Sequence, residues 1–299
     1  MRDWDKRLYG TEELSWIAWV LRFVLPEEAG QDDGFRALPR AIPQPDHRTE
    51  RRWTHVVIDE AQDLAVQEAS LLASFVHPRG ALTISADFHQ VVSPVHGMTD
   101  GEALKFGLPI WDQKLHTQFP FQRNLRQSRE IAQFLKGFYQ RTFNEFPPFD
   151  AGEHQEGVKP HLYVGPLRQF AQLIAQMASV FSRSQTLRNV SVVQVHEDEE
   201  TLARLRADLQ VLNVPLADPD VLMAPDKLVL TTVERAKGLE FDACIVLGLD
   251  DVERSSLNFA KNRAYVALSR PTRRLFMICR SDPVLLQRVQ RDLFERRTF

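Results

Sequence analysis

Residues 56–63 read Val-Val-Ile-Asp-Glu-Ala-Gln-Asp, a short run of apolar, mostly β-branched residues that ends in two carboxylates. A run of this length and composition predicts a buried β-strand rather than a helix. Similar runs occur at 81–85, 162–164, 190–195, 227–232, 243–249 and 274–279. Helical patterns alternate with them, near 64–76, 128–140, 167–181, 198–212, 258–269 and 283–296. The alternation predicts a doubly wound α/β fold with parallel sheets, in which ligands bind at the carboxyl ends of strands.

Length and composition set the broad class of the chain. With 299 residues, of which 43% are hydrophobic, it can bury a full core and is expected to form two domains. A formal net charge of −3 argues against indiscriminate binding of polyanions but is compatible with a local basic groove. Arginines are concentrated late in the chain: Arg270, Arg273, Arg274, Arg280, Arg288, Arg291, Arg296 and Arg297. For the last four, a solvated helix face explains the pattern equally well.

Cysteine usage and targeting signals indicate the compartment. Cys244 and Cys279 each lie in an apolar run, so both are expected to be buried thiols in a reducing cytoplasm. The nine histidines show no metal-ligand spacing, and the sequence has no recognisable signal peptide. The apolar stretch 16–25 contains Arg22 and is too short to span a membrane. We therefore expect a soluble cytoplasmic chain that has no membrane partner.

The sequence pattern divides the chain into two parts. Residues 11–25 predict an amphipathic helix, and residues 26–52, rich in Pro, Gly, Asp and Arg, predict a loop. Glycine and proline interrupt the pattern at 96–113, which predicts a boundary between a first lobe, 1–110, and a second lobe, 111–299.

The first carboxylate pair suits the chemistry of a metal-bound phosphate. Asp59, at the end of its strand, can hold Mg²⁺ directly or through water, and Glu60 can polarise an attacking water. An isolated pair of this kind could equally cap the helix that begins near Asp63. The full string Asp-Glu-Ala-Gln-Asp at 59–63 makes capping the weaker interpretation.

Two further strings follow in order. Residues 81–87 form another strand that ends in a carboxylate, and Gln90, three residues later, can donate its amide to a γ-phosphate or to a catalytic water. In Asn-Leu-Arg-Gln-Ser at 124–128, Ser128 can cap the helix that follows. The planar guanidinium of Arg126 suits a phosphate, although a structural ion pair is the ordinary alternative.

Residues 231–241 carry another group of candidates. Lys237 and Gly238 can form a turn whose exposed backbone amides make a nest for an anion. Glu240 can accept a hydrogen bond from a ribose hydroxyl. Taken alone, this string is a weak signal.

Residues 262–270 predict an arginine-bearing helix. Arg263 and Arg270 are seven residues apart and share one face if the helix runs through. Pro271 ends the helix, which would leave Arg270 facing a cleft. An arginine placed in this way can stabilise charge on a transferring phosphoryl group, an effect worth about 10³–10⁵ in rate.

Taken in order, the strings resemble the motifs of the UvrD/Rep-like class of superfamily 1 DNA helicases. The matches are 57–63 with the Walker B motif, 82–90 with the third motif, 124–128 with the fourth, 232–241 with the fifth and 263–270 with the sixth. The resemblance implies two RecA-like lobes of the P-loop NTPase type, with ATP and Mg²⁺ between them and single-stranded DNA across the top. Bases would stack on aromatic side chains while phosphates meet basic groups.

The resemblance also implies roles for individual residues. It assigns Mg²⁺ to Asp59 and Glu60, and it assigns catalytic roles to Glu60, Gln90, Arg126 and Arg270, the last as an arginine finger. It assigns nucleotide contacts to Asp59, Gln90, Arg126, Lys237, Gly238, Glu240 and Arg270. The spacing between the fourth and fifth motifs is short, so we expect no large insertion in the second lobe.

Departures from the family are as informative as the matches. The sequence contains no Gly-x-x-x-x-Gly-Lys-[Ser/Thr] phosphate loop, and the preceding glutamine motif and the first DNA-binding motif are also missing. The first lobe is therefore expected to be incomplete. Glu234 stands where the family usually has histidine, which places an acid near the expected path of a DNA phosphate. Ala86 and Ser269 replace the usual glycine and threonine, and both changes are tolerable.

Three interpretations stay open. The first is an ATP-dependent helicase part whose missing segment comes from another polypeptide or has been lost; retention of Glu60 and Arg270 favours it. The second is a non-catalytic module that binds DNA or protein, which the missing phosphate loop favours, since loss of its lysine and amide cradle removes most triphosphate affinity. The third is a truncated product whose apolar edges, at strands 56–58 and 81–85, aggregate unless the helix at 11–25 covers them.

Overall fold

The computed structural model describes residues 53–92, 98, 100–107, 117, 119–120, 123–147, 149–150, 156–196, 199–254 and 259–299. The chain divides into two compact units, Met1–Thr117 and Gln118–Phe299. The helix predicted at 11–25 and the loop predicted at 26–52 lie outside the described residues.

The described part of unit 1 is a parallel pair of strands with two helices. Strand β1 (Trp53–Ile58) pairs in parallel with β2 (Val76–Ile84), and helix α1 (Val66–Ala73) connects them. Helix α2 (Gly101–Gly107) packs against α1. The core of the unit is formed by Ile58, Ala61, Ala69, Ala73, Met98 and Leu104.

Unit 2 is built on a six-stranded sheet in which every pairing is parallel. Its strands are β3 (His161–Val164), β4 (Val190–Gln194), β5 (Leu228–Thr232), β6 (Phe241–Leu247), β7 (Pro271–Cys279) and β8 (Glu295–Thr298), in the order β5-β4-β6-β7-β3-β8. Its helices are α3 (Arg129–Phe143), α4 (Phe170–Phe181), α5 (Glu199–Val211), α6 (Val233–Ala236), α7 (Ala260–Leu268) and α8 (Val284–Gln287). The central strands are buried almost end to end, as expected of a parallel sheet covered on both faces. The prediction of an α/β fold with parallel sheets is confirmed.

Helix α3 shows how the sequence positions the elements around this sheet. Its buried face consists of Ile131, Ala132, Phe134, Leu135, Phe138, Tyr139 and Thr142, at helical spacing. The helix ends at Asn144, whose φ of 58° lies in the left-handed region that commonly terminates helices. Within the described residues, no helix is long and apolar enough to cross a bilayer.

The helix predicted at 283–296 is wrong beyond its first turn. Helix α8 ends at Gln287, and β8 pairs in parallel with β3 from His161 opposite Glu295. Backbone pairing with the open edge of β3 therefore overrides the helical spacing of apolar residues. Arg296 and Arg297 consequently lie on an edge strand rather than on a solvated helix face, and their charge discourages further strand pairing.

Both cysteines lie in the core of unit 2, as predicted. Cys244 is in β6 and Cys279 ends β7, and both are free, buried thiols. Burial raises the pKa of the Cys244 thiol to about 12, and burial likewise raises the pKa of the Cys279 thiol. Neither sulfur is therefore a nucleophile in the folded chain at neutral pH.

We predict that neither cysteine reacts with a thiol-specific reagent in the native chain at pH 8. The folded pKa of each thiol lies well above this pH, and burial blocks access. Mass spectrometry after alkylation should find no adduct on the native chain and two after unfolding in urea. Rapid modification of Cys244 in the native chain would contradict the buried position of β6.

Candidate functional site

The two strand-end strings of unit 1 lie side by side. Ile58 pairs with Ile84, so β1 and β2 end at the same level. Beyond the strands the backbones stay tied, because Ser85 N donates to Ile58 O at 2.9 Å and Ala61 N donates to Ser85 O at 2.9 Å. The hydroxyl of Ser85 donates to Asp59 Oδ1. Parallel strand ends thus bring the first carboxylate beside the second string.

Glu60 adopts an unusual backbone conformation at this strand end. Its φ of 53° and ψ of 40° are left-handed, a conformation that costs a non-glycine residue about 1–2 kcal/mol. Its side chain accepts a hydrogen bond from Gln62 Nε2 and makes no capping bond to the following 3₁₀ turn, Ala61–Asp63. Capping by Glu60, the alternative raised by the sequence, is therefore not observed. Asp59 and Glu60 are both exposed to solvent.

Gln90 belongs to the same hydrogen-bonded network. Its amide Nε2 donates to Asp87 Oδ2 at 2.8 Å. The backbone N of Asp87 donates to Gln62 Oε1 at 3.0 Å, and Gln62 in turn contacts Glu60. The network links the predicted Walker B string to the predicted third motif through a buried glutamine that sequence reasoning did not single out.

Three distant strings converge in unit 2. Phe241, the first residue of β6, pairs with Pro271, the first residue of β7. Glu240 and Arg270 therefore stand immediately before two neighbouring strands. Arg126 joins them from before α3, with its Nε 2.6 Å from Glu240 Oε1. Three of the predicted nucleotide contacts are thus brought to one place. They lie at the amino ends of β6 and β7, not at the carboxyl ends that the fold class predicts, because Glu240 and Arg270 each precede a strand.

Backbone and amide hydrogen bonds hold these strings in register. The buried side chain of Gln127 donates from Nε2 to Ser269 O at 2.7 Å. Ser128 N donates to Thr272 O at 2.8 Å. The Ser128 hydroxyl makes no capping bond to α3, contrary to the prediction. Sequence reasoning also missed Gln127, since nothing in its position marks it as buried.

Arg270 is buried rather than cleft-facing. Helix α7 ends at Leu268, and the Arg270 side chain is only 2% exposed. Its guanidinium donates to Val266 O at 3.0 Å, to Ser269 Oγ at 2.8 Å and to Leu239 O at 3.5 Å. The expectation that Pro271 leaves this arginine facing a cleft is therefore corrected. The last carbonyls of α7 draw the cation inward, because they form the negative end of the helix.

Arg263 lies in a separate buried site. Its Nε donates to Val195 O at 2.7 Å, and its guanidinium forms an ion pair with Glu234. The side chains of Arg263 and Glu234 are 4% and 22% exposed. Glu234 is therefore held toward the interior of unit 2 by Arg263.

Lys237 and Gly238 form the predicted turn, but two of its amides are already used. Lys237 has φ −58° and ψ 139°, and Gly238 has φ 76°, as in a type II turn that requires glycine. Leu239 N closes the turn on Ala236 O at 3.1 Å, and Lys237 N donates to Val233 O at 3.0 Å. The turn therefore does not present a row of open amides to an anion.

Among the charged side chains of unit 2 described above, the solvent-exposed ones are able to bind a ligand. Arg126 and Glu240 have side chains that are 42% and 48% exposed, so their ion pair contributes only about 0–1 kcal/mol. An incoming phosphate can therefore displace the carboxylate of Glu240 from Arg126.

The residue types fit Mg²⁺ together with a polyphosphate. Asp59 offers a carboxylate beside the Ser85 hydroxyl, and Mg²⁺ is commonly held by one or two carboxylates plus waters and phosphate oxygens. Across the described residues, no cluster of three or more His, Cys, Asp or Glu side chains could hold a metal by itself. A metal at Asp59 would accordingly depend on ligands from a bound phosphate.

No protein-family model and no curated protein matches this chain. Among solved structures, it is similar to the C-terminal domain of a possible DNA helicase from Lactobacillus plantarum WCFS1. The two share 19% identity and a TM-score of 0.45, over 57% of this chain and 97% of that domain.

We predict that two arginines of unit 2 differ sharply in their effect on stability. Replacing Arg263 by Gln leaves the Glu234 carboxylate buried without its cation, which should cost about 3–5 kcal/mol. Replacing Arg126 by Gln, a matched removal of one ion-paired arginine at the surface, should cost about 0–1 kcal/mol. Urea unfolding followed by fluorescence measures both. Equal costs for the two variants would show that the Arg263–Glu234 pair is not buried.

Proposed function

We propose that the chain is the part of an ATP-dependent, UvrD/Rep-like superfamily 1 DNA helicase or translocase that carries the Walker B motif and the third to sixth motifs. The phosphate loop would be supplied by a separate segment. The observation that most supports this proposal is the convergence of residues 124–128, 239–241 and 269–272 around Arg126 and Arg270. Strings that resemble three motifs of one family also meet in space.

Unit 1 carries the groups suited to the metal and to water. Asp59 would hold Mg²⁺, which supplies charge neutralisation to the phosphates when bound. Glu60, exposed and held toward Gln62, would polarise the attacking water. Gln90, oriented by Asp87, would respond to the γ-phosphate. Within this unit, hydrogen bonds connect the Glu60 side chain to Gln90 through Gln62 and Asp87. The Asp59 carboxylate accepts separately from Ser85 Oγ and from Glu60 N.

Unit 2 carries the groups suited to the nucleotide itself. Arg126 would bind triphosphate oxygens in exchange for Glu240, whose carboxylate would then be available to a ribose hydroxyl. Lys237 and Gly238 would approach the nucleotide from the turn before Glu240. Arg270 would serve as the arginine finger only after its guanidinium leaves the carbonyls of Val266 and Leu239. Its burial therefore makes this role dependent on a rearrangement.

A partner polypeptide that completes the first unit is part of the proposal. Trp53 and Val57 of β1 are 64% and 67% exposed. Parallel strands are normally covered on both faces, so large apolar side chains exposed here favour an additional covering segment. Single-stranded DNA is the proposed nucleic-acid partner.

A second candidate is a non-catalytic binding module derived from a helicase. This candidate is favoured because both arginines already have partners within unit 2. Arg126 pairs with Glu240, and Arg270 donates hydrogen bonds to Val266 O and Ser269 Oγ. The fold therefore needs no nucleotide to provide hydrogen-bond acceptors for either arginine.

Steady-state ATP hydrolysis discriminates the two candidates. The chain is assayed alone and after co-expression with neighbouring reading frames that encode a strand, a Gly-rich phosphate loop and a helix. We expect turnover only in the co-expressed complex, stimulated by single-stranded DNA and lowered about 100-fold or more by Glu60→Gln. Glu156→Gln changes an acid that is 84% exposed and lies outside the matched strings; it is the control and should leave turnover unchanged. Turnover that survives Glu60→Gln would contradict the proposed role of this glutamate.

The same experiment gives a different result if the chain is a non-catalytic binding module. A complex that forms and binds DNA, yet neither hydrolyses ATP nor binds it, would favour the module over the helicase part.

A further inference from the structure

A polar surface pocket lies at the carboxyl end of α3. It is lined by Gln140, Arg141, Asn144, Glu145, Phe146 and Arg288, and its volume is about 300 Å³. Helix α3 has 15 residues, and at 1.5 Å per residue its ends are about 20 Å apart. Arg126 precedes the opposite end of this helix. The α3–α8 pocket is therefore separate from the site described above.

The cations of this pocket differ from the other basic residues of α3. Arg129 is 3.6 Å from Glu156, and Lys136 Nζ is 2.7 Å from Asp150 Oδ1. Arg141 and Arg288 are exposed, and neither has an ion-pair partner in the described part of the chain. Two guanidinium groups on one pocket rim thus remain available to an external anion.

Phe146 adds an aromatic face to the same pocket. Its side chain is 88% exposed, although a large apolar residue normally gains free energy from burial. Glu145, the one acid among the described lining residues, accepts from Tyr139 Oη at 3.5 Å. The pocket therefore combines a net positive rim, two side-chain amides and an exposed ring.

We propose that the α3–α8 pocket binds a segment of single-stranded nucleic acid. A backbone phosphate would lie between Arg141 and Arg288, and one base would stack on Phe146. Gln140 and Asn144 would meet the polar edge of that base. An exposed aromatic ring beside unpaired arginines is the combination that strand-binding surfaces use, whereas a phosphopeptide site has no need of a stacking ring.

This proposal rests on the proposed function only in that both name single-stranded nucleic acid as the partner. The nucleotide residues play no part in it, and the pocket lies at the far end of α3 from Arg126. Binding at the pocket can therefore succeed or fail independently of ATP hydrolysis.

Fluorescence anisotropy of a labelled oligothymidylate, titrated with the full chain, tests the proposal. The double variant Arg141→Gln/Arg288→Gln should weaken binding about tenfold or more. It should also lower the dependence of log affinity on log salt by about 0.7, the value for one phosphate of a single strand. Phe146→Ala should weaken binding about tenfold through lost stacking. The control Lys136→Gln/Arg296→Gln removes two positive charges that are already paired with Asp150 and Asp282, and it should bind like the unaltered chain.

Three results would overturn the proposal. The first is unchanged affinity in the Arg141→Gln/Arg288→Gln variant, and the second is an equal loss in the control variant. The third is that an abasic oligonucleotide binds as tightly as oligothymidylate and that Phe146→Ala does not change its affinity. That result would show that the pocket is a nonspecific polyanion-binding surface. A parallel titration with ATP on the same samples reports the nucleotide site separately, so failure of the helicase proposal is not confused with failure of this one.

Discussion

The buried guanidinium of Arg270 is the constraint on which the candidate site of unit 2 depends. A permanent charge that is 2% exposed is costly unless its donors are satisfied, and carbonyl and hydroxyl acceptors at the end of α7 satisfy them. One donor also reaches Leu239 O, just before Glu240. The peptide of Arg270 is fixed as well, since its carbonyl accepts from Phe241 N at 3.1 Å. The arginine thus fixes the start of both central strands.

The placement of Arg126 follows from the same arrangement. Gln127 is anchored on Ser269 O, and Asn124 Oδ1 accepts from Arg126 N at 3.1 Å and from Gln127 N at 3.3 Å. These bonds orient the turn before α3 and aim Arg126 at Glu240. The solvent exposure of an arginine then decides whether it can bind a ligand or only stabilises the fold of unit 2. The exposed Arg126 can exchange its carboxylate for a ligand, whereas the buried Arg263 is committed to the fold.

Much of the fold and part of the candidate site could be predicted from the sequence. The features that were predicted wrongly, or not at all, have physical causes. Continuous apolar runs identified β4 and β6, and parallel pairing then placed Asp59 beside the end of the next strand. The segment after Gln287 was misassigned because its spacing suits a helix, while the open edge of β3 recruits it as a strand. The Arg263–Glu234 pair could not be found from spacing alone, since it joins residues of different helices that meet only after folding. For the same reason, the inward turn of Arg270 toward Leu239 was not predicted.

The most direct test of this account is the binding of inorganic tripolyphosphate to the full chain, measured by calorimetry. This probe has no ribose or base and therefore isolates the phosphate contact. We expect Arg126→Gln to weaken binding about tenfold or more, because a charge-assisted hydrogen bond contributes about 1.5–3 kcal/mol. Glu240→Gln should tighten binding up to about fivefold, because the competing carboxylate is gone. Equal affinity in the unaltered chain and the Arg126→Gln variant would contradict a phosphate site at the amino ends of β6 and β7.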